Sequence, residues 1–453
     1  MRGGGGQFDF AQATWHATTA PGNITDLGPT DRDRRECFGD WSGEVARIAE
    51  ERRASGGQPR TLKVGVAGLG VGSAMIIPTI ERMSETELVA AADIRPDAVK
   101  AFEQRYEGRG YSSVEALCAD PEIDVVWVAT PNNLHCQHVK TAVEHGKHVV
   151  CEKPMALSVA ECEEMVEAAE KRNVKLLCGH TYSLNPSIQA MRQVVKSGEL
   201  GRLTAVANWL YSDWLLKPRM PEELDVNRGG GVVYRHGPHI IDTIRTLGGG
   251  MLRSVRAMVG AWMPERPAPE NFSAYLEFED GTPATISYNG YGYFNTADLV
   301  WGIGDRMYTE EEAVRVRRAL RSKSLDVAQQ KEDLRERTRS GTDQAEGARS
   351  GRRIATGNWF GITVVSCERG NIRQSPDGLL IYDDDGHHEL PVHGEGASGN
   401  AELRELHAAI TRGEPISHDG RWGMATLEVC VAILQSARER REIMLTHQCP
   451  TRD

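Results

Sequence analysis

A glycine-rich turn at residues 64–73 constrains the fold of this chain more than any other feature. The string VGVAGLGVGS ends an apolar run and places Gly68 and Gly70 just before a predicted helix. The missing side chains permit a tight turn and let the backbone approach a pyrophosphate at the positive end of that helix. We therefore predict a βαβ unit that binds a dinucleotide, with Gly68, Gly70, Val71 and Gly72 as contacts.

An acidic residue follows at the distance expected for ribose recognition. Asp93 ends the second apolar run, and a carboxylate there accepts ribose hydroxyls and repels a 2′-phosphate. Arg95 stands two residues later, where a guanidinium either pairs with a 2′-phosphate, packs over adenine or lies in water. The sequence thus predicts NAD as the cofactor, with NADP as the alternative and with Asp93 and Arg95 as cofactor contacts.

The pattern of apolar residues along the chain changes near residue 183. Before it, short apolar runs such as KVGVAG, ELVAAAD, DVVWVAT and KHVVCEKP alternate with helical patterns, as in a parallel sheet covered on both faces. After it, longer runs such as FSAYLEFED and TPATISYNGYG alternate with period two. We expect an α/β protein with a doubly wound Rossmann domain over 61–183. A second α/β domain, with a large, mainly antiparallel open sheet, should occupy 184–449.

Two segments depart from this pattern. Residues 1–60 start with MRGGGG and lack sustained periodicity, which predicts a disordered or loosely attached extension, or a leader. Residues 304–353 are dominated by charged side chains, including the basic stretch RVRRALRSKS. We interpret them as an insertion made of solvated helix and loop, or alternatively as a lid or subunit contact over an anionic site.

Composition narrows the classes of partner. The formal charge of −11 is spread along the chain, which argues against nucleic acid or an anionic membrane as the partner. No apolar run reaches the roughly 18 residues of a membrane span and no secretory leader is evident, so we expect a cytoplasmic protein. Nine cysteines without CxxC spacing predict reduced thiols and no metal site.

Four more motifs follow the glycine turn in a fixed order. They are TPNNLH (130–135), GKHVVCEKP (146–154), GELGRL (198–203) and GGGVVYRHGPHIID (229–242). Together they resemble the glucose-fructose oxidoreductase/inositol dehydrogenase (Gfo/Idh/MocA) family of NAD(P)-dependent oxidoreductases, over nearly all of 61–445. The resemblance implies a homo-oligomer, a dimer or tetramer, formed through the open sheet. It also implies these cofactor contacts: Thr130, Pro131, Asn132, His135, Glu152 and Lys153.

Lys153 and His239 are the predicted catalytic residues. Lys153 precedes a proline at the C-terminal end of a strand, the edge of an open α/β sheet where ligands bind. Burial there brings the pKa of a lysine toward neutrality, and the resemblance implies that this lysine binds the reacting hydroxyl. His239 falls in the first turn of a predicted helix, whose positive end favours neutral imidazole. Either residue could accept the hydroxyl proton.

Arg235 is the informative departure from the family pattern. Inositol dehydrogenases of the family usually carry Asp four residues before the histidine, whereas this chain has Arg235. A guanidinium fork suits a carboxylate, so we expect a small anionic substrate, unless Arg235 neutralises Glu152 or Asp242. The other predicted substrate contacts are Tyr182, His180 and Asp242, although Asp242 could equally form a structural contact.

The strings YRHGPH, GYGYF and SGRRIATGNWFG in the second half resemble family members that oxidise cis-dihydrodiols of aromatic dicarboxylates. This implies NAD-dependent conversion of an anionic cyclohexadiene diol to a catechol, as in phthalate catabolism. The alternatives are a sugar, sugar-acid or inositol dehydrogenase, an NAD-dependent glycoside hydrolase, and an NAD-sensing protein without turnover.

Overall fold

The computed structural model describes residues 60–179, 182–340, 359–392 and 400–452. The predicted extension over 1–60 lies outside the described residues except for Arg60, and so do the end of the charged insertion and His180. Among the residues that are described, no helix is both long enough and apolar enough to cross a bilayer.

The first domain alternates strands with helices, as the apolar runs predict. Its sheet has the order β3-β2-β1-β4-β5-β6 and is parallel throughout, which confirms the Rossmann topology. The carboxyl ends of β1 and β4 lie at the point where the strand order reverses, which is where ligands bind in open α/β sheets. The elements are β1 (Leu62–Ala67), α1 (Val71–Arg82), β2 (Thr86–Ala92), α2 (Pro96–Tyr106), β3 (Arg109–Tyr111), α3 (Val114–Cys118), β4 (Val125–Val128), α4 (His135–Glu144), β5 (His148–Glu152), α5 (Val159–Lys171) and β6 (Leu176–Gly179).

The second domain is built on a mixed, mostly antiparallel sheet of nine strands, as predicted. Its strand order is β14-β13-β12-β11-β7-β10-β9-β8-β15, and only the β7/β10 pair is parallel among these described strands. The elements are α6 (Pro186–Ser197), β7 (Leu203–Tyr211), α7 (Pro221–Leu224), α8 (Val232–Arg235), α9 (Gly237–Gly248), β8 (Leu252–Gly260), β9 (Asn271–Phe278), β10 (Pro283–Asn289), α10 (Glu310–Arg321), α11 (Val327–Ser340), β11 (Ile362–Cys367), β12 (Gly370–Ser375), β13 (Gly378–Asp383), β14 (Gly386–Pro391), α12 (Asn400–Thr411), α13 (Gly420–Glu439) and β15 (Ile443–Met444).

Helices from the end of the chain return to the first domain. Leu403 and Leu406 of α12 are buried in the same apolar cluster as Leu62 and Val64 of β1. Helix α13 packs against α5, β6, α9 and β8, so it contacts elements of both domains. The amphipathic helices at the C-terminus therefore complete the layer over the Rossmann sheet.

The charged insertion forms α10 and α11 between β10 and β11. Helix α10 begins with a capping box in which Thr309 and Glu312 each accept a backbone N–H, and it carries arginines in its last turn. Helix α11 packs against α1 of the first domain, and its Lys331 is only 8 % exposed. The insertion thus reaches from the second domain to the edge of the dinucleotide-binding unit.

A buried arginine anchors the helix that carries His239. The guanidinium of Arg245 in α9 is fully buried and lies 3.7 Å above the ring of Trp422. It donates to the Trp422 carbonyl (3.0 Å), to Thr426 (2.8 Å) and to Gln448 (3.0 Å). Because these acceptors belong to the C-terminal segment, Arg245 ties α9 to α13.

Replacing Arg245 by Met should lower the free energy of unfolding by about 3 kcal/mol or more, because buried acceptors lose their donor. Denaturant unfolding followed by circular dichroism measures this loss. Arg253→Met is the matched control, since the Arg253 side chain is 54 % exposed and lies 3.4 Å from Glu277. Its cost should stay near the roughly 0.5 kcal/mol of a surface pair. Equal losses in the two variants would contradict the anchoring role.

Candidate active site

The glycine turn has the geometry that a pyrophosphate requires. Gly68 has φ of 97°, and a Cβ there would lie 2.8 Å from the carbonyl oxygen of Ala129. Gly70 precedes the first turn of α1, which begins at Val71, and a Cβ on Gly70 would meet no atom within 4 Å. Space therefore lies open beside the N–H groups of Val71 and Gly72, where a dinucleotide fits.

Asp93 lies beside the glycine turn and is bound by Arg95. Its carboxylate accepts the Leu69 backbone N–H (2.8 Å), the Arg95 backbone N–H (2.9 Å) and the Arg95 guanidinium (3.0 and 3.1 Å). Burial alone would raise the pKa of Asp93, but these bonds outweigh burial and lower that pKa. Both predicted residues thus stand at the ribose end of the turn, and Arg95 is held there by Asp93.

The loop after β4 is braced by a histidine. The His135 ring places Nδ1 2.9 Å from the Pro154 carbonyl oxygen and Nε2 2.8 Å from that of Thr130. Burial lowers the pKa of His135 to about 4, and a neutral ring donates its single N–H to one of these two carbonyls. His135 was predicted to contact the cofactor, but its ring nitrogens face protein carbonyls. It therefore positions Thr130 and the segment after Lys153.

The other predicted residues of this loop lie close by. The Thr130 hydroxyl lies 2.9 Å from Nδ1 of His138, and the Asn132 amide donates to the Gly229 carbonyl (3.4 Å). Pro131 between them is exposed. The Asn132 contact brings the loop of the first domain against the start of the 229–242 motif.

Lys153 reaches from β5 to the second domain. Its peptide bond to Pro154 is cis, and its Nζ donates to the Arg235 carbonyl (3.2 Å). Burial lowers the pKa of Lys153 to about 8; the Glu152 carboxylate opposes this shift, and the charges of Arg235 and Arg219 reinforce it. A buried amine with this pKa is suited to accept a proton near physiological pH.

Glu152 lies behind the lysine. The Trp127 indole N–H donates to it (3.2 Å), and burial raises the pKa of its carboxyl.

Aromatic rings surround His239 at the start of α9. The Tyr182 ring meets the His239 ring edge-on at 4.7 Å between centroids. The Phe360 ring lies 4.9 Å from His239, 4.9 Å from His236 and 4.6 Å from Tyr182. The Lys153 amine binds the carbonyl of Arg235, the residue before His236, so these rings and the amine belong to one site.

Asp242 has a structural contact. Its side chain is fully buried, accepts the Trp422 indole N–H (2.5 Å) and lies 3.8 Å from Nε2 of His418. With no accessible surface, its carboxylate has no face for a substrate. The sequence left two roles open for Asp242, a substrate contact and a structural contact. The structure gives it the structural contact, which corrects its assignment as a substrate contact.

Two residues of this region were missed by sequence reasoning. Phe360 lies in the string NWFG, which contributed only to the family resemblance. An aromatic residue beside a glycine is the signal that could have identified it as a site residue. Arg219 stands in the string KPRMP and carries no motif; its guanidinium lies 4.2 Å above the Trp214 ring. His236 stands between the predicted residues Arg235 and His239 in the sequence. Its Nδ1 lies 2.7 Å from the Tyr288 hydroxyl oxygen.

Comparisons with known proteins agree with this architecture. Residues 62–180 match the model of the oxidoreductase family with an NAD-binding Rossmann fold, and residues 188–302 match the GFO/IDH/MocA C-terminal domain. The chain belongs to the Gfo/Idh/MocA family of oxidoreductases. The predicted family and its NAD cofactor are thereby confirmed.

Members of the Gfo/Idh/MocA family with full-length similarity include dehydrogenases. The 1-carboxy-3-chloro-3,4-dihydroxycyclohexa-1,5-diene dehydrogenase of Comamonas testosteroni is 29 % identical over 83 % of this chain and 95 % of its own length. A Bordetella bronchiseptica protein, proposed to be a dehydrogenase, has a solved structure that is 34 % identical. It superimposes with a TM-score of 0.76 over 85 % of this chain and all of that one.

A more distant structure shares the fold. The WlbA dehydrogenase of Bordetella pertussis, solved with NADH and UDP-GlcNAcA, is 21 % identical, with a TM-score of 0.62 over 85 % of this chain and 99 % of its own. The two family models, which match both domains, make this protein an NAD-binding oxidoreductase.

Asp93→Ala should shift cofactor preference toward NADP by about tenfold or more. The change removes the acceptor for the ribose hydroxyls and releases Arg95 to meet a 2′-phosphate. Values of kcat/KM with NAD and with NADP measure the shift. The double variant Asp93→Ala/Arg95→Ala is the control, because it should lose the gain with NADP. An unchanged preference in Asp93→Ala would exclude this role for the carboxylate.

Proposed function

We propose that this oxidoreductase acts on the cis-diol of a carboxylated cyclohexadiene, converting 4,5-dihydro-4,5-dihydroxyphthalate to 4,5-dihydroxyphthalate with NAD. The observation that carries the proposal is the meeting of Lys153 and Arg235, whose backbone carbonyl binds the lysine amine (3.2 Å). This one contact therefore brings together the Lys153 amine as proton acceptor and the residue whose guanidinium binds a carboxylate in this proposal. A neutral polyol has no use for that guanidinium, whereas an anionic diol does.

The reaction needs one group that takes the hydroxyl proton. When bound, NAD supplies the acceptor for the hydride that leaves the carbinol carbon. Neutral Lys153 accepts the hydroxyl proton with its lone pair, while one of its N–H bonds stays directed at the Arg235 carbonyl. The resulting hydroxydienone then tautomerises to the catechol, and aromatisation drives the reaction forward.

The rings around His239 suit a flat, partly apolar substrate. Phe360 is only 8 % exposed and contacts Tyr182, His236 and His239. A six-membered diene can lie against such rings, leaving its hydroxyls for Lys153 and His239. His239 in this proposal holds the second hydroxyl of the diol, and Tyr182 fixes the imidazole edge-on.

The Comamonas testosteroni relative supports this class of substrate. Its name describes a dihydroxycyclohexadiene that carries one carboxyl group and one chlorine. The proposed substrate shares the diol, the diene and the anionic ring substituent. It differs in having two carboxylates, which is the part of the proposal that rests on this chain alone.

We also propose a homo-oligomer formed through the outer face of the nine-stranded sheet. Trp209 on β7 is 54 % exposed and Met258 on β8 is 51 % exposed. The strand register places them in one row across the sheet: Trp209 pairs with Ser287 of β10, Ser287 with Ser273 of β9, and Ser273 with Met258. Large apolar side chains grouped on one sheet face favour burial against a second copy.

The pH dependence of the reaction should report Lys153. Below a pKa of about 8 the amine already carries a proton, so kcat/KM for diol oxidation should rise with pH through that value and then level off. Lys153→Met should lower kcat by about 10² to 10⁴ and abolish this rise. His239→Ala should lower kcat but keep the rise. A rise near pH 8 that persists in Lys153→Met would make His239 the proton acceptor instead.

Arg235→Gln should lower kcat/KM for the dicarboxylated diol by about ten- to a hundredfold, since a charge-assisted bond contributes about 1.5 to 3 kcal/mol. At a pH well above 8, where Lys153 is deprotonated with or without the Arg235 charge, turnover of the uncarboxylated cis-diol should change little, because that substrate offers no carboxylate. Arg235→Lys should recover only part of the loss, since an ammonium lacks the planar fork. Equal losses on both diols would show that Arg235 serves the structure and not the substrate.

A further inference from the structure

His236 lies between the Lys153 contact and the aromatic rings of the site. Its backbone nitrogen is bonded to the carbonyl carbon of Arg235, whose oxygen accepts the Lys153 amine at 3.2 Å. The Phe360 ring lies 4.9 Å from the His236 ring and 4.9 Å from that of His239. His236 therefore belongs to the same site, whereas the proposed reaction uses only Lys153 and His239.

A chain of buried hydroxyl groups fixes the His236 ring. Nδ1 of His236 lies 2.7 Å from the Tyr288 hydroxyl oxygen, which lies 3.1 Å from Oγ of Ser212. Tyr288 and Ser212 have no accessible surface, and the Tyr288 ring stacks on that of Phe272 with 5.5 Å between centroids. The Trp214 ring meets the His236 ring edge-on at 6.1 Å. These contacts determine the position and the plane of the imidazole.

The order of donation along this chain follows from Ser212. Among the described residues, Tyr288 is the one hydrogen-bond partner of the Ser212 hydroxyl, so the buried Ser212 proton is satisfied only by donation to the Tyr288 oxygen. Burial raises the pKa of Tyr288 well above its usual value, so the phenol keeps its proton and donates it to Nδ1 of His236. Burial also lowers the pKa of His236 well below its usual value. The neutral ring then carries its single proton on Nε2.

The Nε2 edge of the ring is the part that can meet a ligand. His236 is partly exposed, although its backbone N–H donates to the Val232 carbonyl (2.8 Å) and its carbonyl accepts the His239 N–H (3.2 Å). Within the part of the chain that the structure describes, Nε2 makes no hydrogen bond and is not one of the buried polar atoms that lack a partner. Nε2 therefore has accessible surface, on the edge of the ring that is turned away from Tyr288.

We propose that His236 donates from Nε2 to the substrate oxygen that loses its proton to Lys153. As Lys153 takes the proton, this oxygen gains negative charge, and a fixed N–H stabilises that charge until the hydride leaves and the carbonyl forms. Because Nδ1 is occupied by Tyr288, the ring offers a donor and no acceptor, so His236 transfers no proton. Ser212 and Tyr288 are positioning residues that act through the ring. This inference rests on the proposed function, because it concerns the same reacting hydroxyl.

Two substitutions distinguish a donor from a packing residue at this position. His236→Gln supplies an amide N–H near the place of Nε2 but loses the ring, whereas His236→Phe keeps the ring contacts and loses the donor. We expect His236→Phe to lower kcat for the cis-diol by about a hundredfold or more, and His236→Gln to recover about tenfold of that loss. The rise of kcat/KM near pH 8 should persist in both, because Lys153 remains the proton acceptor. Equal kcat in the two variants, or recovery by His236→Phe instead, would overturn the proposal.

The position of the ring proton can be measured without turnover. In a two-bond proton–nitrogen spectrum of enzyme that contains isotope-labelled histidine, the His236 signals are those missing from either His236 variant. They should show the proton on Nε2. Tyr288→Phe should move the Nδ1 signal toward that of a nitrogen with a free lone pair and lower kcat by about three- to tenfold, because one neutral hydrogen bond is lost. A proton on Nδ1 in the wild type would contradict the inference whatever the activity.

Tyr234→Phe is the matched control for Tyr288→Phe. Tyr234 is 7 % exposed, and its hydroxyl donates to the Leu157 carbonyl (3.2 Å), so this variant also loses one hydroxyl contact from the second domain. It should leave both His236 signals and kcat unchanged.

The outcome also separates this inference from the proposed function. An enzyme that oxidises no cis-dihydrodiol, while His236 carries its proton on Nε2, would retain the oriented donor and lose the proposed reaction. An enzyme that oxidises the diol with full kcat in His236→Phe would keep the reaction and lose the donor role of His236.

Discussion

The bond from the Lys153 amine to the Arg235 carbonyl joins the two domains at the proposed reaction centre. Lys153 follows the last residue of β5 in the Rossmann sheet, and Arg235 ends α8 in the second domain. Burial disfavours a charge on the amine, and the guanidinium of the same residue that supplies the carbonyl disfavours it further. The position of the proposed proton acceptor, Lys153, and the direction of its pKa shift therefore both depend on Arg235.

Buried polar contacts hold both ends of that bond. On the first-domain side, the His135 ring lies between the Thr130 carbonyl and that of Pro154, the residue after Lys153, and donates to one of them. On the other side, Arg245 fixes α9, which follows Arg235 directly, to the C-terminal helix. Satisfied buried groups of this kind orient a site more strictly than apolar packing does, because each bond depends on angle as well as distance.

The sequence predicted the parts of the molecule that are local. The glycine turn, Lys153 before its proline and His239 at the start of a helix depend on neighbouring residues, and the strand runs of the first domain have a clear pattern. The parallel β7/β10 pair joins segments far apart in the chain, and the polar string GHHELP of β14 gives no apolar alternation. Local rules have no access to such pairings.

The same distinction explains the site residues. Helical spacing places Asp242 on the same side of α9 as His239, but Trp422, 180 positions later, takes its carboxylate. Phe360 contacts the His239 ring, and Arg219 feels the charge of Arg235, only because the fold brings these distant segments together. A sequence without an alignment identifies which residue types stand near a motif, whereas the long-range fold decides which of them face the substrate.

The charged insertion shows why the count of surface charges is a weak guide to substrate charge. Its basic stretch covers the end of α10 and the residues after it, most of its basic side chains are solvent-exposed, and salt screens such charges beyond a Debye length of about 8 to 10 Å. Lys331 on α11 is a single cation, but it is buried and lies 2.8 Å from Glu223. A charge at that distance in the interior acts almost unscreened. A buried cation at this distance thus affects the charge of the protein interior more than the exposed basic residues of α10 do.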